Sequence, residues 1–501
     1  MADRRNILIV SENLLRGGLE TRVLTQSRAL VAAGCRVHFA TSSSTVPAPL
    51  EAIASSVHPG LSLGAAATAF ECAAASRQLA KLIAEKEIGL VHAHPFASLL
   101  PGAMAAALAQ VPMLVTLHGA SSFLGGPNYD VTLFDFVLPY ASEIHVVSEE
   151  LGSFVPQALA PRRSVMPNSV DLTLFPPVKR VESGPWAVFS RLEDGKEQAI
   201  LEFLRMGRQL GFSKVHIFGG GQSEARFQEA IAAEGLGELV ELHPWCDDPA
   251  AQLAQGYAGV AGMGRVVLEA VAMRLPCVLL GYEEVHGVVT PANLDELAWS
   301  NFSGRGIPAA SLDVVRSGLA QVSDEMLTDL RSLMVEKHDE ARLVTRHLRS
   351  IDSASINEEA RARLLQVVSL MRRTRQRHAH PWFVDPDLQS TLALILRRPT
   401  EPELQRRIGE SLSYAQGALG SRVDESRAAL EASVARTAGQ QQEELAQMRA
   451  RMLALEEQVG ALRAELRTLT ETTATLTRSV EASQSQGLRH RLRETLARWR
   501  P

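Results

Sequence analysis

Twice along this chain, short apolar runs alternate with amphipathic helical stretches, and glycines stand where run meets helix. That alternation constrains the fold more than any other feature, because parallel strands need a helical crossover at every step and cannot be joined by a tight hairpin. The first series predicts strands over 6–10, 36–40, 90–92, 113–117 and 144–147, with helices over 19–33, 66–86 and 97–109. The second predicts strands over 186–189, 215–218, 239–242 and 277–280, with helices over 198–210, 224–233 and 265–273. Between the two series, Pro167-Asn168-Ser169-Val170-Asp171 and Phe175-Pro176-Pro177 break the pattern. The expected class is α/β: Rossmann-like domains over 1–178 and 179–350, a helical bridge over 351–402, a coiled coil over 403–486 and a basic tail over 487–501. Two such domains facing one another make a deep cleft.

At 501 residues, with 46% hydrophobic and 21% charged side chains, the chain needs about three folded units. Its formal charge of −5 and the lack of a long basic block in the first 350 residues argue against a nucleic-acid partner. Cys35, Cys72, Cys246 and Cys277 lie far apart with no C-x-x-C pair, which fits reduced thiols of a cytoplasmic protein. No apolar run reaches membrane-spanning length, and the first residues lead straight into a strand, so no signal peptide is expected.

The densest stretch runs over 262–281. Gly262-Met263-Gly264 predicts a tight turn, and the helix after it buries Val267, Leu268, Val271 and Ala272, leaving Glu269 off the apolar stripe. Pro276 ends that helix. A glycine turn feeding a helix N-terminus offers N–H groups to an anion; ordinary βαβ packing explains the same turn. Gly17-Gly18 stands likewise at the end of the first strand, and Gly219-Gly220-Gly221 follows the strand at 215–218. His118 ends the strand at 113–117, either as a group facing a cleft or as a structural hydrogen-bonding residue. The H-x-H pairs His92/His94 and His378/His380 lack a third ligand at a usual spacing, so no metal is assigned to them.

Six pieces then occur in one order: Gly-Gly-Leu-Glu-Thr from 17, Val-Thr-Leu-His-Gly from 115, Pro-Asn-Ser-Val-Asp from 167, Ser-Arg-Leu-Glu-Asp-Gly-Lys from 190, Phe-Gly-Gly-Gly from 218 and Leu-Glu-Ala-Val-Ala from 268. Together they resemble the retaining glycosyltransferases of the GT-B fold, the large family four type that uses nucleotide-diphosphate sugars. The resemblance covers roughly residues 4 to 305. It implies that Arg191 and Lys196 hold the donor diphosphate, a task that suits fixed cations as negative charge develops on the leaving phosphate. It implies further that Glu269 accepts from ribose hydroxyls, that His118 lies near the transferred sugar, and that Gly17 and Gly18 cover the diphosphate from the opposite domain. Gly219 and Gly220 join the donor-binding set, as do the backbone amides of Gly262, Met263, Gly264 and Arg265. A surface salt bridge with Glu193 and Asp194 remains the plain alternative for Arg191 and Lys196.

One departure stands out. The family carries two glutamates as E-x7-E, and the first falls on Ala261 here, with the preceding loop compressed. Either the sugar is placed differently or the site binds without turnover; the intact diphosphate set favours the first. No D-x-D motif stands at a strand end, since Asp385-Pro386-Asp387 lies beyond both domains, so no cofactor and no obligatory metal are expected. Arg305, in Asn301-Phe-Ser-Gly-Arg-Gly306, either faces phosphate across the cleft or sits in a surface turn.

Later residues turn helical. The region 323–348 has helical periodicity, Ser355 and Glu358 predict a capping box, and one of these helices is expected to brace the first domain. Leu445, Met448, Met452, Leu455, Val459, Leu462, Leu466 and Leu469 alternate spacings of three and four, the seam expected of a left-handed coiled coil that joins chains into a homo-oligomer, with a single amphipathic helix lying on its own chain as the alternative. Past Gly487, Leu488, Leu492, Leu496 and Trp499 share a face among five arginines. That suits an anionic membrane surface or an acidic partner, and equally cations closing a helix C-terminus. The function expected is sugar transfer from a nucleotide donor to a hydroxyl of a surface glycan or glycolipid, in polysaccharide biosynthesis, in the cytoplasm or at the inner face of its membrane. A non-catalytic scaffold and a nucleotide-sugar epimerase are the alternatives.

Overall fold

The computed structural model describes residues 5–373 apart from 15, 16, 120, 121, 124–126 and 194, and then 380–385, 388, 392, 395, 396 and 468. Apart from residue 468 the expected coiled coil, and with it the basic tail and His378, lie outside the described residues. No helix among the described residues is long and apolar enough to cross a membrane.

The first sheet contains β1 (Asn6–Ser11), β2 (Arg36–Thr41), β3 (Ser56–His58), β4 (Leu90–Ala93), β5 (Met113–Leu117), β6 (Glu143–Val146) and β7 (Arg163–Val165). They lie in the order β3-β2-β1-β4-β5-β6-β7, all parallel. All six residues of β1 are buried, as expected of a central strand covered on both faces. The second sheet contains β8 (Trp186–Phe189), β9 (Val215–Phe218), β10 (Val240–His243), β11 (Gly259–Gly262), β12 (Cys277–Leu280) and β13 (Val285–Val288). Their order is β10-β9-β8-β11-β12-β13, parallel except for β13.

Four strands escaped the sequence pattern, each for a physical reason. β3 and β7 are three-residue edge strands, half-buried and without an apolar run. β11 is Gly-Val-Ala-Gly, small because a Cβ on Gly259 would come within 2.5 Å of the Trp186 ring. Gly262 therefore closes a strand rather than opening a turn. β13 runs antiparallel after a tight return at Gly281, with a Gly in its middle.

Helix α1 (Gly18–Ala32) covers one face of the first sheet, and α2 (Ala69–Glu85) with α3 (Leu99–Ala109) the other. The short helix α4 (Glu149–Ser153) follows β6. In the second domain, α5 (Lys196–Leu210) and α6 (Glu224–Ala233) lie on one face of the sheet and α7 (Arg265–Ala272) on the other. Helix α8 (Asp324–His338) packs Leu330 and Met334 into the layer beneath α7. The chain then crosses to the first domain at Asp339, ahead of the expected boundary at 350. Asp339 caps α9 (Glu340–Ser353), whose Ile351, Val344 and Leu348 pack with α1. Helix α10 (Glu358–Arg373) lies against α2 and α3. Its cap differs from the expected Ser355–Glu358 box: Asn357 Oδ1 accepts from Ala360 N–H at 3.3 Å, while Ser355 N–H donates to Ser142.

Candidate functional site

Strand order reverses beside β1 in the first sheet and beside β8 in the second. Open α/β sheets bind ligands outside the carboxyl ends of the strands at such points. The loops there carry Gly17 after β1, His94 after β4, His118 after β5, Arg191 after β8, Gly219–Gly221 after β9 and Gly264 after β11.

Gly17 and Arg191 meet across the cleft. A Cβ on Gly17 would stand 3.8 Å from Arg191 Cζ, and the Gly17 φ of 154° is one that only glycine adopts freely. The first domain thus brings side-chain-free backbone to a guanidinium of the second. Arg191 Nη1 is 3.2 Å from Glu193 Oε1, and Lys196 Nζ is 3.3 Å from Glu193 Oε2, so one carboxylate joins both cations. Lys196 opens α5, and its ammonium pKa is pushed down by burial and by Arg191, with Glu193 opposing. Gly18 is the first residue of α1, and no atom lies within 4 Å of where its Cβ would be.

The Gly219–Gly221 turn holds the Arg191 loop. Ser190 N–H donates to Phe218 O at 3.1 Å and Leu192 N–H to Gly220 O at 3.0 Å. A Cβ on Gly219 would overlap the Ser190 carbonyl oxygen, and one on Gly221 the Leu192 carbonyl. Gly220, Arg191, Glu224, His243, Pro244 and Trp245 line one groove of ≈ 590 Å³.

A second cluster is buried between the domains. Arg265 Nη1 donates to the Ser169 carbonyl at 2.6 Å, and its Nη2 lies 3.4 Å from Glu269 Oε1, one turn along α7. Burial raises the Glu269 pKa and Arg265 opposes the rise. Ser169 Oγ accepts from Arg22 Nη1 and donates to Glu340. Arg22, fully buried on α1, also donates to Glu340 Oε2 at 2.9 Å and stands 3.0 Å from His347 Nε2. Ser169, in the linker between domains, is therefore held by an arginine from each side.

Sequence reasoning placed Ser169 only in a turn motif and missed Arg22 and Glu340. The available signal was the polar pair Arg22 and Gln26, one turn apart on the helix face that also buries Val23 and Leu30. Removing one partner of a fully buried ion pair costs about 3–5 kcal/mol, whereas replacing both with apolar groups is nearly neutral. Chemical denaturation should therefore show Arg22→Met losing stability of that order, with Arg22→Met/Glu340→Met recovering most of it.

His118 is partly buried, its Nε2 2.8 Å from His94 Nδ1. Burial and the Arg22 charge lower its pKa to about 3, so the ring is neutral at pH 7. His92 Nε2 is 2.7 Å from Thr116 Oγ1 and its Nδ1 3.3 Å from Gln26, so both ring nitrogens of His92 are engaged, while His94 Nε2 is buried without a hydrogen-bond partner.

Three expectations change on this geometry. Ala261 lies fully buried in β11, within the apolar layer that holds Val188 and Val278. A carboxylate there would be a charge in an apolar interior, so in this chain the position is a packed strand residue. Arg305 does not face a phosphate position: it forks onto Glu150 of α4 with bonds of 2.7 and 2.5 Å, clasping the two domains. The Gly264 N–H, expected to face a ligand, donates to the Phe302 carbonyl at 2.8 Å.

Residues 16–174 match the family model Glycosyltransferase Family 4. No curated protein matches the chain. Among solved structures, a glycosyltransferase from Rickettsia africae ESF-5 is similar with a TM-score of 0.51 at 15% identity, over 70% of this chain and 99% of that one. Sucrose-phosphate synthase from Thermosynechococcus elongatus is similar with a TM-score of 0.51 at 14% identity, over 69% of this chain and 98% of that one. At such identity these two likenesses establish the fold. The chain thus has the two-domain fold of these glycosyltransferases, and its residues 16–174 match the Glycosyltransferase Family 4 model.

Proposed function

We propose that the protein transfers a sugar from a nucleotide-diphosphate donor, with retention, to a hydroxyl of a surface glycan or glycolipid. One observation carries the reading: Gly17 faces Arg191 across the cleft, a Cβ on it falling 3.8 Å from Arg191 Cζ, which lets bare backbone from one domain and cations from the other close on a diphosphate. Glu269 offers its carboxylate to the ribose, since its one hydrogen bond, to Arg265, is long at 3.4 Å. The amides of Met263 and Arg265 take the sugar side, with neutral His118 beneath it, and the loop His243-Pro244-Trp245 takes the nucleobase. The reading requires no obligatory metal. Polysaccharide biosynthesis at the cytoplasmic face of a membrane, with oligomerisation through 403–486 and a surface contact through 487–501, completes the reading. Sedimentation of the full chain against one ending near 400, and liposome flotation with and without 487–501, test those last two parts.

The activity is tested with a panel of nucleotide sugars, scoring hydrolysis and transfer. Turnover that falls at least about 100-fold in Glu269→Ala, with the fold intact, is the expected result. A second reading rests on Ala261, which stands in β11 where the family carries the first of its two glutamates: the site binds donor without turning it over. Tight nucleotide-sugar binding with no product from any donor, acceptor present, would establish that reading instead, and interconversion of the sugar would establish an epimerase.

A further inference from the structure

The second domain carries a cluster of ligating side chains of which the proposed transfer uses only His243, at the start of the loop given to the nucleobase, and leaves His216 and Glu241 without a role. Strand β10 is the edge of its sheet and pairs in parallel with β9, in a register that sets Glu241 opposite His216. His243 lies two residues beyond Glu241, so all three side chains stand on one face. We propose that His216, Glu241 and His243 bind a divalent transition cation of the zinc class.

The arrangement of individual atoms carries the proposal. Glu241 Oε2 is 3.4 Å from His216 Nε2 and 3.8 Å from His243 Nε2. The three ligand atoms all lie within 4.8 Å of one another, and among the described residues no other group of three does so. A tetrahedral ion with bonds of about 2.0–2.1 Å holds its ligands roughly 3.3 Å apart, so the set needs only small rotations to close on one. The other oxygen, Oε1, faces Lys214 Nζ at 3.5 Å, which leaves Oε2 as the metal-facing atom.

The surroundings are also those of a ligand set. His216 Nδ1 lies 3.0 Å from the Tyr257 hydroxyl, which accepts from Gln252 Nε2 at 2.7 Å. A hydrogen bond at the second ring nitrogen fixes the orientation of a metal-bound imidazole. Phe218 stacks on the His243 ring with centroids 4.8 Å apart, and His243 Nε2 is shielded from solvent with no hydrogen-bond partner. Two imidazoles and one carboxylate favour zinc, cobalt, nickel or copper over magnesium or calcium, which take all-oxygen sets. Three protein ligands leave a fourth position for water.

The bland explanation is a histidine pair that shares the Glu241 charge, and metal titration separates the two. Full-length protein stripped with a chelator is titrated with Zn²⁺ by calorimetry and with Co²⁺ by visible absorption, alongside Glu241→Gln, His216→Ala and Lys214→Ala. Glu241 is half exposed, so its amide variant is the one to retain the fold, checked by circular dichroism. The expected result is one cation per chain, a tetrahedral Co²⁺ band, and a thermal midpoint raised by Zn²⁺. Affinity falls at least about 100-fold in Glu241→Gln and His216→Ala, and is kept or improved in Lys214→Ala. A chain that takes up neither ion, or a band and affinity unchanged in Glu241→Gln, would overturn the proposal.

Discussion

Arg191→Ala is expected to lower kcat/KM for the donor by about 100- to 1,000-fold, the usual consequence of removing one fixed cation or hydrogen-bond donor from a developing oxyanion. Arg191 is the cation that meets Gly17 of the opposite domain, so its loss removes the charge on the axis along which the two halves approach. Arg191→Lys restores only part of the rate, because an ammonium cannot fork onto two phosphoryl oxygens. Glu193 adds a separable signature. Its carboxylate joins Arg191 at 3.2 Å and Lys196 at 3.3 Å, and a diphosphate has to displace it. Glu193→Gln should therefore tighten a nucleotide diphosphate while Arg191→Ala loosens it, both read by calorimetry at two salt concentrations. An Arg191→Ala variant within threefold of the parent would remove the diphosphate from this place.

Much of this architecture was legible because it depends on local pattern. The strands at 113–117, 186–189, 215–218 and 277–280 were readable as apolar runs, and Gly17 and Arg191 as residues at strand ends. What escaped depends on contacts far apart in sequence. Arg305 in isolation is a charged residue in a glycine turn; only the folded chain brings it to Glu150. Ser169 resembled turn punctuation until Arg22 and Arg265 closed on it from two domains. Ala261 was placed by motif spacing at a carboxylate position, but the strand runs straight into α7 and its side chain points into the core. Gly219 and Gly220 were assigned to a ligand because glycine allows close approach, and here the chain that Gly219 and its neighbour Gly221 approach is the Arg191 loop itself. Motif spacing identifies which residues come close; it does not say what they come close to.

The buried imidazoles should make the first domain acid-labile well above the range where carboxylates titrate. His92, His94 and His347 are buried and their pKa values fall well below 6.5; His118 falls to about 3. Burial is the main cause in each, with positive neighbours such as Arg22 adding to it. The unfolded chain protonates these rings near 6.5 while the folded one holds them neutral, so between those values the unfolded state binds more protons. Their contribution is therefore complete above pH 6.5 and is lost as pH falls toward the folded values, at about 1.4 kcal/mol per pH unit for each ring. His118 alone removes about 2 kcal/mol by pH 5 on that slope, and His92, His94 and His347 act in the same direction. Glu269, with its pKa raised by burial, works in the opposite sense, but as one group against several. Urea midpoints measured at pH 7.5, 6 and 5 should fall steeply below 6.5, and His347→Gln, which keeps an amide beside Arg22 and Gln26, should flatten the slope. Equal midpoints at pH 7.5 and 5 would mean that the cluster takes up protons without unfolding, and that Arg22 does not keep it neutral.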